Sequence, residues 1–480
     1  MKAFFSSVLW GKKSGVIPAK AGIYAIFFCS VIIFSVDAQS LVNFSHLNHL
    51  TEEIEFYGDS VDIVHIYSNY PDYHWVDAKE SGPEGIACVD DAARAAVVYL
   101  RDYELNRTAS SLVKAKSLLR FVLKMQAGDG EFYNFIFADH TINRDGKTSF
   151  KSFGWWAARG LWCLSKGYRD FISIDPVFAE ELKAAIERSL PHVKKLLDNY
   201  GSVRVVDSLR VPQWLMYDSG SDVTSELSLG LLEYYQARKS PEVKNLITKL
   251  CSALVIMQDG NAITFPYGAH RSWETMWHMW GNGQTEALAA IGRKLQDSTM
   301  ILSAEKEARG FYVRLLINGF MKEMDVAHPE KKVQYDQIAY GVRPMAVGLL
   351  RLYDATQDSL YLKLAGLAAS WLFGDNVAHA AMYNPANGIC FDGITDSATV
   401  NKNSGAESTI EALHTLVEIE HYPMAKKYLS CRKIHRGETH GYLYATFTNE
   451  TGGELTLAIL LKTGKVLLHE GGIEAINNEQ

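Results

Sequence analysis

Two kinds of apolar segment alternate along this chain, and the alternation constrains its fold more than any other feature. One kind is amphipathic. Ala109–Met125 sets Leu112, Ala115, Leu118, Leu119, Val122 and Leu123 on one face, with Lys114 and Lys116 off it, the spacing of a helix with one buried side. Segment 176–199 opens with Asp-Pro and 241–258 with Ser-Pro-Glu, an N-cap followed by proline at the first helical position. Segments 303–324, 359–373 and 42–57 continue this series. The other kind is apolar on nearly every side: 91–100, 153–164, 222–236, 283–292, 337–352 and 404–420. A helix of that kind is enclosed by other helices, and the Ala and Gly in these segments permit close approach.

The enclosed segments begin about 60 residues apart, room for one inner helix, one outer helix and a long loop, and such a repeat builds a closed ring or a solenoid. Six inner and six outer segments predict an all-α fold, an (α/α)6 toroid of six helical hairpins over residues 39–423. An open α-solenoid is the alternative. Unequal hairpin lengths, and loops rich in aromatics and carboxylates before the inner helices, favour the toroid. In the tail, 441–449 and 454–461 alternate apolar and polar residues around a Thr-Gly-Gly turn, and 466–469 follows a second turn. This predicts a small antiparallel β appendage within 424–480. Segment 60–78 also reads as extended.

Lys2, Lys12, Lys13 and Lys20 precede an apolar run at 22–34, and Val36 and Ala38 stand at the −3 and −1 positions of a cleavage site. Residues 1–38 therefore read as a signal peptide and predict export to the periplasm or beyond. The run is short of the roughly 20 residues that a membrane span needs, and no later stretch supplies a span. Removing four Lys and Asp37 moves the net charge from −7 to −10, which argues against nucleic acid as a partner. The five cysteines after the leader are scattered and odd in number. They suit buried thiols better than a disulfide framework, and no Cys/His spacing suggests a metal or another cofactor.

In a toroid the N-termini of the inner helices converge on one funnel. The residues before and at those termini include Asp90 and Asp91, Tyr133 and Asn134, Trp155 and Trp156, Asp222, His270, Trp273 and Glu274, and Asn403 with Glu407. Taken singly, each has a structural reading: an acid in the first turn of a helix is favoured by the helix dipole, and a tryptophan is ordinarily core. Together they describe a sugar site. Pyranose faces stack on indoles, sugar hydroxyls bond to Asp, Asn and Arg, and glycosidic cleavage needs one protonated and one ionised carboxyl. Arg159 and Arg343, inside apolar helices, need carboxylate partners or meet an acidic sugar.

The blocks Trp371-Leu-Phe-Gly-Asp-Asn376, 382–393 (MYNPANGICFDG) and Ser404-Gly-Ala-Glu-Ser-Thr-Ile410 resemble bacterial glycosidase-like proteins of the six-hairpin glycosidase superfamily. Gly130-Glu-Phe-Tyr-Asn-Phe135 and the pair Gln284 and Glu286 fit the same pattern, and the resemblance spans most of 80–420. More distantly, the layout is similar to the superfamily's inverting endoglucanases. These carry an early paired-Asp motif that activates water and a late Glu as general acid. The resemblance assigns those roles to Asp90 or Asp91 and to Glu407, although Val89-Asp-Asp-Ala92 stands where the endoglucanases have Asp-Ala-Gly-Asp. The expectation is an exported inverting glycoside hydrolase acting on an oligo- or polysaccharide. Asp222 and Glu274 are reserve carboxylates, and Tyr133, Trp155, Trp156 and Trp273 are stacking platforms. Three rivals remain. A polysaccharide lyase would use Tyr340 and His270, with Arg343 or Asn403 at a uronate. A sugar epimerase would use paired histidines. A glycan-binding toroid would have no turnover.

Overall fold

The computed structural model describes residues 40–474, so the expected signal peptide lies outside the described residues. The chain opens with α1 (Ser45–Leu50). Helical hairpins follow: α2 (Val89–Asn106) with α3 (Ala109–Met125), α4 (Trp155–Phe171) with α5 (Pro176–Leu196), and α6 (Ser221–Arg238) with α7 (Pro241–Ile256). Next come α8 (Gln284–Leu295) with α9 (Ser298–Glu307) and α10 (Val313–Asn318), α11 (Ala339–Thr356) with α12 (Leu360–Ala369), and α13 (Ala406–Glu420) with the one-turn α14 (Pro423–Lys426). The first helix of each hairpin is the enclosed one. Each inner helix packs on the next, and α13 packs back on α2. That last contact closes the ring and makes the molecule an (α/α)6 toroid rather than a solenoid.

Local chemistry sets the helix starts. Asp175 accepts from the backbone N–H of Phe178, Ser240 accepts from that of Val243, and a proline follows each cap. Packing of α4 on α6 depends on Gly230, where an added Cβ would lie 2.7 Å from the Trp162 Cα. Four inner helices, α2, α6, α8 and α11, end on a left-handed residue: Arg107, Lys239, Gln296 and Gln357. The outer helix then begins within a few residues, so this turn is a repeated corner of the ring.

Two expected outer helices differ. Segment 42–57 is not one helix. After α1, strand 51–56 pairs with strand 59–64 through a turn at Tyr57 and Gly58, both with positive φ. Ile54, Phe56, Val61 and Ile63 are buried from this hairpin; alternation of period two had been masked by an apolar content that also suits a helix. The sixth outer position is consequently held by the short α1 and α14, both packed on α13. Segment 303–324 is also broken. A π-helical turn at 308–312 separates α9 from α10. A side chain at Gly310 would collide with the Tyr267 carbonyl, and the helix ends at Gly319, with strand 323–325 beyond.

The C-terminal sheet has four antiparallel strands in sequential order, 432–439, 442–448, 454–460 and 466–470, and rests on α10. Its first strand, Arg-Lys-Ile-His-Arg-Gly-Glu-Thr, has no fully buried residue and no alternation of apolar with polar side chains, so its composition did not mark it as a strand. Cys88, Cys163, Cys251, Cys390 and Cys431 are all free and buried. Among the described residues no helix is long and apolar enough to cross a membrane.

The corner turns give a stability test. Gln296 is exposed, with φ of 59°, a conformation that glycine adopts without the Cβ clash. Gln296→Gly is expected to stabilise the chain by about 0.5–1 kcal/mol, read as a higher urea midpoint.

Candidate active site

The funnel opens where the inner helices begin. It is a cavity of about 1060 Å³, within the size of carbohydrate and cofactor sites once its open mouth is counted. Asp90, Asp91 and Arg94 enter it from the first turns of α2, Trp155, Trp156 and Arg159 from α4, Tyr340 from α11, and Glu407 from α13. Trp273, His278 and Trp280 line it from the segment before α8, and Asn134 and Asn403 from two further loops.

Its floor is a lattice of buried ions. Arg94 donates from Nη2 to Asp91 Oδ1 at 2.6 Å, and from Nη1 to Glu407 Oε2 and Glu411 Oε1, each at 3.1 Å. Arg159 donates to Asp90 Oδ1 at 2.8 Å, to Glu226 Oε2 at 2.9 Å and to the Tyr340 hydroxyl at 2.7 Å. Tyr340 in turn donates to Glu226 Oε1 at 2.6 Å. One layer deeper, Arg343 bridges Glu411 at 2.8 Å and Glu286. Each guanidinium thus joins carboxylates from different inner helices. Pairing of this kind is what makes buried charge tolerable.

The two carboxylates on Arg94 differ in environment. Asp91 is 3 % exposed and also accepts from the Cys88 thiol at 3.3 Å. The side chain of Glu407 is 45 % exposed, and that exposure is to the funnel. Its position deep between the funnel walls pushes the Glu407 carboxyl above the ordinary value. Arg94 opposes that shift, and the negative charges of Asp91 and Glu411 add to it. Burial acts the same way on Glu411, but Arg343 and Arg94 outweigh it and hold that group low. Asp90 is fixed at both oxygens, by Arg159 and by the Asn134 amide at 2.9 Å.

Several expected site residues are elsewhere. Asp222 is fully buried behind the funnel wall. Its Oδ2 accepts from Trp273 Nε1 at 2.7 Å and lies 2.9 Å from His278 Nε2. It holds the Trp273 and His278 rings from behind, and burial pushes its carboxyl up. Glu274 pairs with Arg204 at the periphery. His270 has no exposure and is consumed by Glu307 and Ser303, which removes it as a lyase base. Arg343 is 1 % exposed beneath Tyr340, out of reach of a uronate. Tyr133 lies under the Arg144 guanidinium, 4.5 Å from its ring centroid, outside the funnel. A surface loop, a core histidine and a rim acid share one composition, so the pattern did not separate them.

Other funnel residues were not singled out as site residues. Arg94 was hidden because an arginine inside an Ala-rich helix reads as an isolated charge, whereas Arg159, expected to need a carboxylate partner, has two, Asp90 and Glu226. The acid three residues before Arg94 was the available signal. His278 stacks on Trp280 at 3.9 Å with its Nε2 turned to Asp222. Glu80, Glu84, Asp336 and Asp392 add carboxylates from loops. Among the described residues no group of three or more His, Cys, Asp or Glu is placed to hold a metal ion.

The raised Glu407 carboxyl has a consequence for stability. The folded chain holds this proton to higher pH than the unfolded chain, so the group's contribution declines as pH rises through the folded value. Glu407→Gln is therefore expected to raise the urea midpoint near pH 7, with the gain disappearing below about pH 4, where both states are protonated.

No family model and no curated protein sequence matches the chain. Solved structures do. A cellobiose 2-epimerase from Bacillus thermoamylovorans aligns with a TM-score of 0.54 at 13 % identity, over 79 % of this chain and 96 % of that one. A cellobiose 2-epimerase from Spirochaeta thermophila gives 0.54 at 10 %, over 79 % and 94 %. A D-mannose isomerase gives 0.52 at 12 %, over 75 % and 91 %. These likenesses establish the fold alone: the chain shares the (α/α)6 toroid of these solved structures.

Proposed function

We propose that this chain is an exported carbohydrate-active enzyme that hydrolyses glycosidic bonds. The observation that carries the proposal is the pair Asp91 and Glu407 on one guanidinium, with Glu407 open to the funnel and its carboxyl raised. A carboxyl that keeps its proton to higher pH suits the general acid that protonates the leaving oxygen. The negative charge of Asp91 helps keep that proton in place. Asp90 is the base for water, because Arg159 and Asn134 orient it and its side chain is more open than that of Asp91. Asp90 and Glu407 are tethered to different arginines on different helices, and inversion requires them to stand far enough apart to admit a water. Trp155, Trp156, Trp273 and Trp280 supply faces for sugar rings.

A sugar epimerase or isomerase is the second reading. His278 on the funnel wall, oriented by Asp222, favours it, as do the names of the solved structures with this fold. Against it, His278 is the one histidine lining the funnel among the described residues, and proton transfer between two faces of a sugar calls for a second such group. The lyase reading weakens with His270 and Arg343 out of reach.

The test is incubation of residues 39–480 with a panel of oligo- and polysaccharides, read by reducing-end release and by the proton spectrum of the products. Hydrolysis predicts new reducing ends of inverted configuration and a fall in kcat of about 10²–10⁴-fold in Glu407→Gln. Products of unchanged chain length with an altered carbon centre would replace the proposal with the second reading. Release that is undiminished in Glu407→Gln would overturn the role of Glu407.

A further inference from the structure

We propose that the saccharide taken by this funnel carries free amines, so that its substrate class is an amino-sugar oligosaccharide, cationic at neutral pH. This rests on the carbohydrate reading above and narrows it.

Charge on the funnel wall is strongly one-sided. Asp90, Asp91 and Glu407 are joined by Glu80, Glu84, Asp336 and Asp392, against Arg94 and Arg159 alone. Neither arginine is free to receive an anion. Arg94 is occupied by Asp91, Glu407 and Glu411, and Arg159 by Asp90, Glu226 and Tyr340. A uronate or sulfated sugar would meet repulsion and find no vacant cation.

Helix dipoles account for part of the acid but not all of it. Asp90, Asp91 and Glu407 lie in the first turns of α2 and α13, where a negative charge is favoured. Asp392 accepts from Gly405 N–H and the Ser408 hydroxyl, and Glu84 from the Thr148 hydroxyl and Glu80 N–H. Glu80 accepts from the Tyr67 hydroxyl, and Asp336 has no such explanation. Both are exposed, both lie off the helices, and among the described residues neither has an ion-pair partner. They leave unspent negative charge at the funnel mouth, where low-dielectric walls focus its field on an arriving ligand.

A second observation, independent of charge, says that a polar ligand belongs here. His278 is 2 % exposed and lines the funnel. Its Nε2 is committed to Asp222, while its Nδ1 has no hydrogen-bond partner among the described residues. A buried polar atom without a partner is costly, and a sugar hydroxyl or amine beside the stacked His278 and Trp280 rings would satisfy it. The aromatic faces bind the ring, His278 binds a substituent, and the carboxylates select a cationic one.

The experiment is calorimetric titration of the full chain bearing Glu407→Gln, so that binding is read without turnover. The ligands are glucosamine tetrasaccharide, its N-acetylated form, and a uronic-acid tetrasaccharide. The free-amine ligand is expected to bind at least about tenfold more tightly than the acetylated one at about 0.01 M ionic strength. The advantage should shrink at about 0.15 M, as the screening length falls from about 30 to about 8 Å. Glu80→Gln with Asp336→Asn should reduce the amine ligand's affinity more than the acetylated ligand's. Equal or tighter binding of the acetylated or uronic ligand overturns the amino-sugar assignment and leaves the carbohydrate reading standing. An amine preference indifferent to salt and to the double substitution also overturns the charge argument. No binding of any saccharide would overturn both.

Discussion

Everything in this molecule hangs on arginines that lie inside a ring of helices and hold carboxylates from several of those helices at once. Arg94 on α2 joins its own Asp91 to Glu407 and Glu411 on α13. Arg159 on α4 joins Asp90 to Glu226 on α6, and Arg343 on α11 joins Glu286 on α8 to Glu411. At the opposite mouth, Arg101 and Arg351 close on the fully buried Glu418 side chain. Packing the inner faces with hydrocarbon alone would also exclude water, but it would fix neither rotation nor register. An arginine fork demands particular partners at particular heights. Removing an enclosed partner such as Glu411 strands a charge, which costs about 3–5 kcal/mol at a buried site.

The same network gives the funnel its chemistry. The pairs that close α2 against α13 place a buried aspartate beside a glutamate open to the cavity. The negative charge of the first pushes its neighbour towards holding a proton. Burial of Glu407 between the funnel walls is the larger cause of that push. Asp222 and His278 serve the wall in a parallel way: a buried acid sets the plane of an imidazole, and Trp280 lies flat against it.

Much of this was legible in the sequence because period and composition report burial directly. Six segments apolar all round became six inner helices, and Ala109–Met125 became α3 without change of boundary. Asp90, Asp91 and Glu407, chosen for their place before or within the first inner turns, face one cavity together with Trp155, Trp156, Trp273, Asn134 and Asn403. Failures arose where two structures share one composition. Segment 42–57 has enough apolar residues for a helix, but its alternation pairs it with 59–64. His270 and Glu274 flank Trp273 in sequence and diverge in space, one into the core and one to the rim. Arg94 escaped notice as a site residue because its partners Glu407 and Glu411 are hundreds of residues away, and a single sequence does not display long-range pairing.

The claim at the centre of this account is that one guanidinium couples Asp91 and Glu407, so that the first raises the proton affinity of the second. A direct measurement is the titration of the Glu407 carboxyl carbon by NMR in selectively labelled protein, in the parent chain and in Asp91→Asn. The account predicts a parent value above the ordinary glutamate range, falling when Asp91 is neutralised, because a repelling charge is lost and Arg94 turns more fully to Glu407. An ordinary value in the parent, unmoved by Asp91→Asn, would contradict it.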